Sequence, residues 1–193
     1  LFSEITHRVK MFVQYLKIGY EHVVPLGYDH ILFIIALFFY DSKLKTAAIQ
    51  CTLFTLAHTL TLILVALGYI NLNTILVETF IAVSICLVAI ENFYAKKLNV
   101  WRLLVVFIFG LIHGIGFAGA LKDFGLPQEE LIPALVGFNI GVEIAQLSLI
   151  VLLYFTFTRY LSHKIWYKEK ITNPLSLLIS GIAVFWFITR ILE

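Results

Sequence analysis

The chain has 193 residues, 61% of them hydrophobic and only 13% charged, with a mean hydropathy of +0.95. Soluble domains carry about a quarter charged residues, so this composition excludes an ordinary soluble globule and implies a polytopic membrane protein. The net charge of +2 comes without a basic patch or basic-aromatic stripe, which gives nucleic acid no electrostatic footing.

Residues 8–24 are apolar but interrupted by Lys10, Gln14, Lys17 and Glu21 at helical spacing, a pattern that fits a helix lying in the membrane interface. Six longer apolar runs follow at about 26–40, 46–69, 74–94, 100–121, 131–158 and 174–192, separated by charged or turn-forming breaks. The expected fold is all-α. It is a single transmembrane domain over 1–193, a polytopic integral membrane helix bundle of six transmembrane helices plus the N-terminal interfacial helix, with seven transmembrane helices as the alternative. The run at 26–40 is short for a crossing, so it is expected to begin earlier or to enter obliquely. Cys51 and Cys86 fall inside apolar runs and read as packing residues rather than a disulfide framework. The chain begins at Leu1 rather than Met, which says nothing about a leader.

Orientation follows from the loop cations. Lys43, Lys45, Lys96, Lys97, Arg102, Arg159, Lys164, Lys168 and Lys170 fall on one side; Arg8, Lys10, Lys17, Lys122 and Arg190 fall on the other. The richer side is expected in the cytoplasm. Both termini then lie outside the bacterial inner membrane, in the periplasm of a Gram-negative cell.

This topology gives each intramembrane polar residue a depth. At ~1.5 Å of rise per residue, His30 and Glu78 lie about 6 Å in from the outer end of their spans, His113 and Asn139 about 12 Å, His58 about 16 Å and Glu143 about 18 Å. Ionisable groups in hydrocarbon cost several kcal/mol each unless paired or hydrated, so gathering them around one ion or one wet cavity offsets the cost. Asn139, Glu143 and Gln146 share one helix face, as do Thr52, Thr55 and Thr59 with His58 beside them. Gly110 and Gly114 bracket His113, and Gly137 and Gly141 precede Glu143; small residues at this spacing let backbones approach. The spans of His113 and Glu143 are therefore expected to pack on each other. Glu91 and Asn92 lie near the cytoplasmic end, where Lys96 or Lys97 about a turn away would pair with Glu91. Trp101, Trp166 and Tyr167 read as an interfacial belt, and His7 and His163 as solvated.

The motifs resemble a known family. His22-Val-Val-Pro-Leu-Gly-Tyr-Asp29-His30-Ile-Leu-Phe is similar to the first signature of the HupE/UreJ membrane proteins, which are hydrogenase and urease accessory components. The likeness continues through Phe54-Thr-Leu-Ala-His58-Thr-Leu-Thr, Val77-Glu78, Ala82-Val-Ser84 and Ala89-Ile-Glu91-Asn92. It runs on through Gly110-Leu-Ile-His113-Gly-Ile-Gly-Phe-Ala and Gly137-Phe-Asn139-Ile-Gly-Val-Glu143-Ile-Ala-Gln146. It covers about residues 18–155. The resemblance implies transport of nickel or cobalt, or supply of metal to enzymes, and hence metalloenzyme accessory partners. The first motif is also similar to the His-x4-Asp-His of the wider nickel/cobalt permeases, but six residues separate His22 from Asp29 here. Spacing alone does not decide whether His22 and His30 reach the same ion.

The residue chemistry agrees on a metal. Imidazole suits Zn, Ni, Co, Cu and Fe, whereas a copper(I) conduit would favour Met and Cys, of which the chain has one and two. A divalent ion of the Ni, Co or Zn type is expected. The candidate metal residues are His22, Asp29, His30, His58, His113 and Glu143, with Thr59, Glu78, Glu91, Asn92, Asn139 and Gln146 as supporting or path residues. In a permease His22, Asp29 and His30 would form the outer entry, and Glu91 with Asn92 would mark the exit. The alternative is an intramembrane zinc hydrolase in which three histidines hold the metal and Asp29 or Glu143 takes a proton from bound water. No His-Glu-x-x-His spacing or serine-nucleophile motif supports it.

The charge count makes a direct forecast. Reporters fused at Lys97 or Lys168 should read cytoplasmic, and reporters at Asn73 or Gly125 should read outside; the inverse pattern would move the polar cluster to the inner half of the bilayer.

Overall fold

A computed structural model describes residues 2–70, 72–94, 97–116 and 131–192. All regular structure among them is helical. In chain order the helices are α1 (Phe2–Val23), α2 (Tyr28–Phe39), α3 (Leu44–Ala66), α4 (Thr74–Tyr94), α5 (Val100–Gly116), α6 (Leu131–Leu161) and α7 (Lys168–Leu192). Single π turns interrupt α6 at Tyr154–Thr158 and open α7 at Lys168–Thr172.

Four helices, α3, α4, α6 and α7, are long and apolar enough to cross a membrane, and the bent pair of α1 and α2 brings this to five if it counts as one span. The short run at 26–40 is explained by that pair: α2 has 12 residues and meets α1 at 70°. α5 is apolar but has 17 residues. Residues 117–121 of its expected span, with Asn71, Lys96 and Lys122, lie outside the described residues.

Packing is organised by close backbone approach. α1, whose amphipathic pattern suggested an interfacial helix, packs against the bundle. It runs along α6, where a Cβ on Gly141 would come within 2.0 Å of the Leu16 carbonyl oxygen and one on Gly137 within 2.6 Å of that of Phe12. α5 sits equally close to α3: a Cβ on Gly110 would meet the Phe54 carbonyl oxygen at 2.6 Å, and one on Gly114 that of His58 at 2.2 Å. The expectation that the two glycine faces bring α5 and α6 together is therefore corrected. A small-residue face specifies that some backbone comes close, and the partner is chosen by the rest of the surface. α7 packs along α4, where Asn92 donates to Ser176 Oγ and to the Ala36 carbonyl, and Arg190 reaches Glu78 at 2.9 Å.

Gly141→Leu should push α1 off α6 and cost at least the roughly 1–3 kcal/mol of an overpacked core, read as a lower midpoint of denaturation in detergent. Gly181→Ala meets nothing within 4 Å and should be neutral or stabilising.

Candidate metal centre

Four helices each bring one histidine to the same place. His22 closes α1, His30 sits in the first turn of α2, His58 lies within α3 and His113 in the last turn of α5. The six residues that separate His22 from Asp29 fold back tightly. Gly27 is pressed so near the end of α1 that a Cβ would lie 2.2 Å from the His22 carbonyl oxygen. Only glycine permits that approach. The His22 and His30 ring centroids are consequently 4.6 Å apart, and those of His30 lie 5.8 Å from His58 and 5.3 Å from His113. The backbone contact of Gly114 with His58 holds the other two helices in register.

Two overlapping sets of ligand atoms result: His22, His30 and His58, and Asp29, His30 and His113, each within 4.8 Å of one another. His30 belongs to both. His58 is 0% exposed, His113 1% and His30 2%, whereas His22 is half-buried and the Asp29 side chain is 30% exposed. Phe54 packs against three of the rings and Phe33 and Phe138 against others, at centroid distances of 5.0–6.5 Å. The cluster is thus sealed by phenylalanine on its inner side and reached past Asp29 and His22.

Hydrogen bonding assigns the ring protons. Asp29 Oδ1 accepts from the His30 backbone N–H at 2.8 Å and from His30 Nδ1 at 3.0 Å. An ionised carboxylate only accepts, so His30 carries its proton on Nδ1 and keeps a lone pair on Nε2. That Nε2 is buried without a hydrogen-bond partner among the described residues. Ser84 Oγ gives its one proton to the Ile81 carbonyl at 2.7 Å and lies 2.9 Å from His113 Nε2. Ser84 must therefore accept from His113 Nε2–H, which leaves the lone pair on Nδ1, also buried and unpartnered. Both nitrogens of His58 are buried and unpartnered among the described residues, one carrying the ring proton and the other the lone pair. A buried lone pair without a donor costs about 1–3 kcal/mol, and a metal ion would satisfy several of these atoms together. Outer hydrogen bonds of this kind commonly orient metal-ligating histidines.

Ser84 was missed as a functional residue. The sequence shows Ser84 only as part of the motif Ala82-Val-Ser84; its position against His113 is what sets it beside the histidines.

The remaining candidates are placed elsewhere. Glu143 stands in neither set of ligand atoms. Thr52 donates to it at 2.5 Å, Thr59 to Asn139 at 2.6 Å and Thr55 to Gln146 at 3.1 Å, a ladder between α3 and α6. Most of these residues line a cavity of about 1010 Å³ between the two helices. The two polar faces read from the sequence meet each other, which draws Glu143 away from the histidines. Glu78 pairs with Arg190, and Asn92 ties α4 to α2 and α7. Glu91 pairs not with Lys97 but with Arg102. Arg102, expected among the loop cations, is 1% exposed, because in the first turn of α5 its side chain faces inward while Val100 and Trp101 face outward.

A family model described as HupE / UreJ protein matches residues 3–190. No curated protein and no solved structure matches the chain.

Ser84→Ala should strand the His113 Nε2–H donor, cost about 1–3 kcal/mol and mix the two tautomers of that ring. Nitrogen-15 shifts of the histidine rings read this directly, with Ser84→Thr retaining the native tautomer.

Proposed function

The chain belongs to the HupE/UreJ family, which is associated with nickel and cobalt transport and accessory roles, and we propose that it is a divalent-metal permease or membrane metal-delivery protein. Its cargo in this reading is an ion of the nickel, cobalt or zinc type, taken up from the outer side of a bacterial inner membrane and passed toward a metalloenzyme. In this reading α2 to α7 are the six spans. The observation that carries the proposal is the set of buried imidazole lone pairs of His30, His58 and His113, brought together from three helices and without hydrogen-bond partners among the described residues, with His22 and Asp29 beside them.

Asp29 and His22, at the accessible edge, meet the ion first. The carboxylate contributes charge and the neutral rings contribute borderline donors, a combination that suits Ni, Co and Zn and not a hard ion such as magnesium. His30 belongs to both ligand sets, so an ion can exchange one set for the other without losing every ligand. His58 and His113 form the inner limit. Bond lengths near 2.0–2.1 Å require the rings to draw together by a fraction of an ångström around the ion. The hydrolase alternative is weakened because Glu143, one of its two candidate bases, is engaged by Thr52 and stands in neither ligand set.

Titration of the purified protein with nickel, cobalt and zinc, with elemental analysis of the retained metal, tests the proposal. His58→Ala and His113→Ala should each weaken binding by more than about 100-fold, beyond the roughly 10–100-fold carried by an outer hydrogen-bonding partner. Glu143→Gln should leave binding unchanged. Folded wild-type protein that retains none of the three ions would overturn the reading.

A further inference from the structure

Four helices carry a second polar layer besides the histidines. α2 runs from His30 to Tyr40 at its C-terminal cap, α3 from Gln50 to His58, α4 from Ser84 to Glu91 and α5 from Arg102 to His113. At about 1.5 Å per residue the layers are separated by roughly 10–16 Å along each helix. Every helix of this core thus contributes one residue to each end. Between the layers the inward positions are apolar: Phe33 and Phe54, with centroids 4.9 Å apart, and Val88 and Val106 are all at most 1% exposed.

The far layer is built around Arg102. Its Nη1 donates to Glu91 Oε2 and its Nε to Gln50 Oε1 at 2.7 Å, and the guanidinium lies 4.4 Å from the centre of the Tyr40 ring. Nη2 is buried with no partner among the described residues. Glu91 by contrast is 39% exposed at its side chain, so the acid reaches outward while the base plugs the core. A buried pair kept for stability alone would be expected to use all of its donors, since an unsatisfied one is costly. Buried among the four helices and touching a residue of each of the other three, a fixed positive charge also repels any cation coming from the histidines.

We propose that Arg102 is a tethered cation that closes the core at the end remote from the histidines, and that Glu91 is the carboxylate it yields to a departing metal ion. Opening breaks the Arg102–Glu91 pair, withdraws the guanidinium from Tyr40 and leaves Glu91 as a free carboxylate facing the exit. No covalent chemistry is involved; one cation replaces another at the same acid. The inference rests on the carrier reading for its cargo, but closure by Arg102 is a property of the helices that can be measured without transport.

Val106, one turn from Arg102 on the same face of α5 and 0% exposed, is the reporter position. In full-length protein carrying Cys51→Ala, Cys86→Ala and Val106→Cys, the rate of modification by a small cationic methanethiosulfonate reads access to the apolar layer. Adding Arg102→Gln with Glu91→Gln, which leaves no lone buried charge, should raise that rate about tenfold or more. The exchanged pair Glu91→Arg with Arg102→Glu should restore slow labelling. Arg102→Lys keeps the charge but loses the fork and the stacking on Tyr40, and it should also label faster, which supplies a readout if the neutral pair fails to fold. Equal rates in all folded variants would overturn the proposal. Nickel titration of the same preparations keeps the two readings apart: a loss of binding in the wild type strikes the carrier reading, whereas the labelling contrast alone decides closure.

Discussion

An imidazole sealed among phenylalanines keeps its hydration cost until each nitrogen has found a proton donor, an acceptor or a ligand. In this protein His30 and His113 each have one nitrogen satisfied, by Asp29 and by Ser84, and the other left bare; His58 has neither satisfied. The rest of the arrangement follows from bringing these groups together. Dispersed over four helices in hydrocarbon they would each carry the cost alone. Collected around His30, the three core rings each turn an unshared lone pair into one pocket, which is the complement of a cation.

Meeting in one place requires helices to approach more closely than side chains of ordinary size allow. The glycines supply this locally. Gly114 lets α5 lie against the His58 carbonyl, and Gly27 lets the turn after α1 fold onto that of His22. The loss of van der Waals contact at a missing side chain is offset by backbone contact on the partner helix. The same device joins α1 to α6 through Gly137 and Gly141, so α1, which carries His22 in its last turn, packs against the bundle.

Three groups of polar residues serve separate uses. Those at the near end of α2 to α5 form the histidine cluster, those at the far end surround Arg102, and those between α3 and α6 make the threonine ladder. The ladder has a plain structural role, since each threonine hydroxyl satisfies an amide or carboxylate oxygen that would otherwise be stranded between helices. Its one carboxylate, Glu143, lines the cavity and belongs to neither set of metal-ligand atoms.

The sequence by itself determined the helical class, the approximate extent of α3, α4, α6 and α7, and the candidate histidines, whereas the approach of His22 to His30 was left to the fold. Apolar runs of membrane length and ionisable residues within them are local signals, and their cost in hydrocarbon is the same whatever the tertiary fold. The facing of Asn139, Glu143 and Gln146, and of Thr52, Thr55 and Thr59, was equally legible, because helical period fixes which residues share a face. Tertiary structure alone decided which faces meet. It set the threonines against Glu143 instead of the histidines, gave the glycines of α6 to α1 and those of α5 to α3, drew Ser84 to His113, and turned Arg102 inward to Glu91. Periodicity is a property of one helix, whereas a contact depends on the relative rotation and offset of two, and these are set by the packing of the whole bundle.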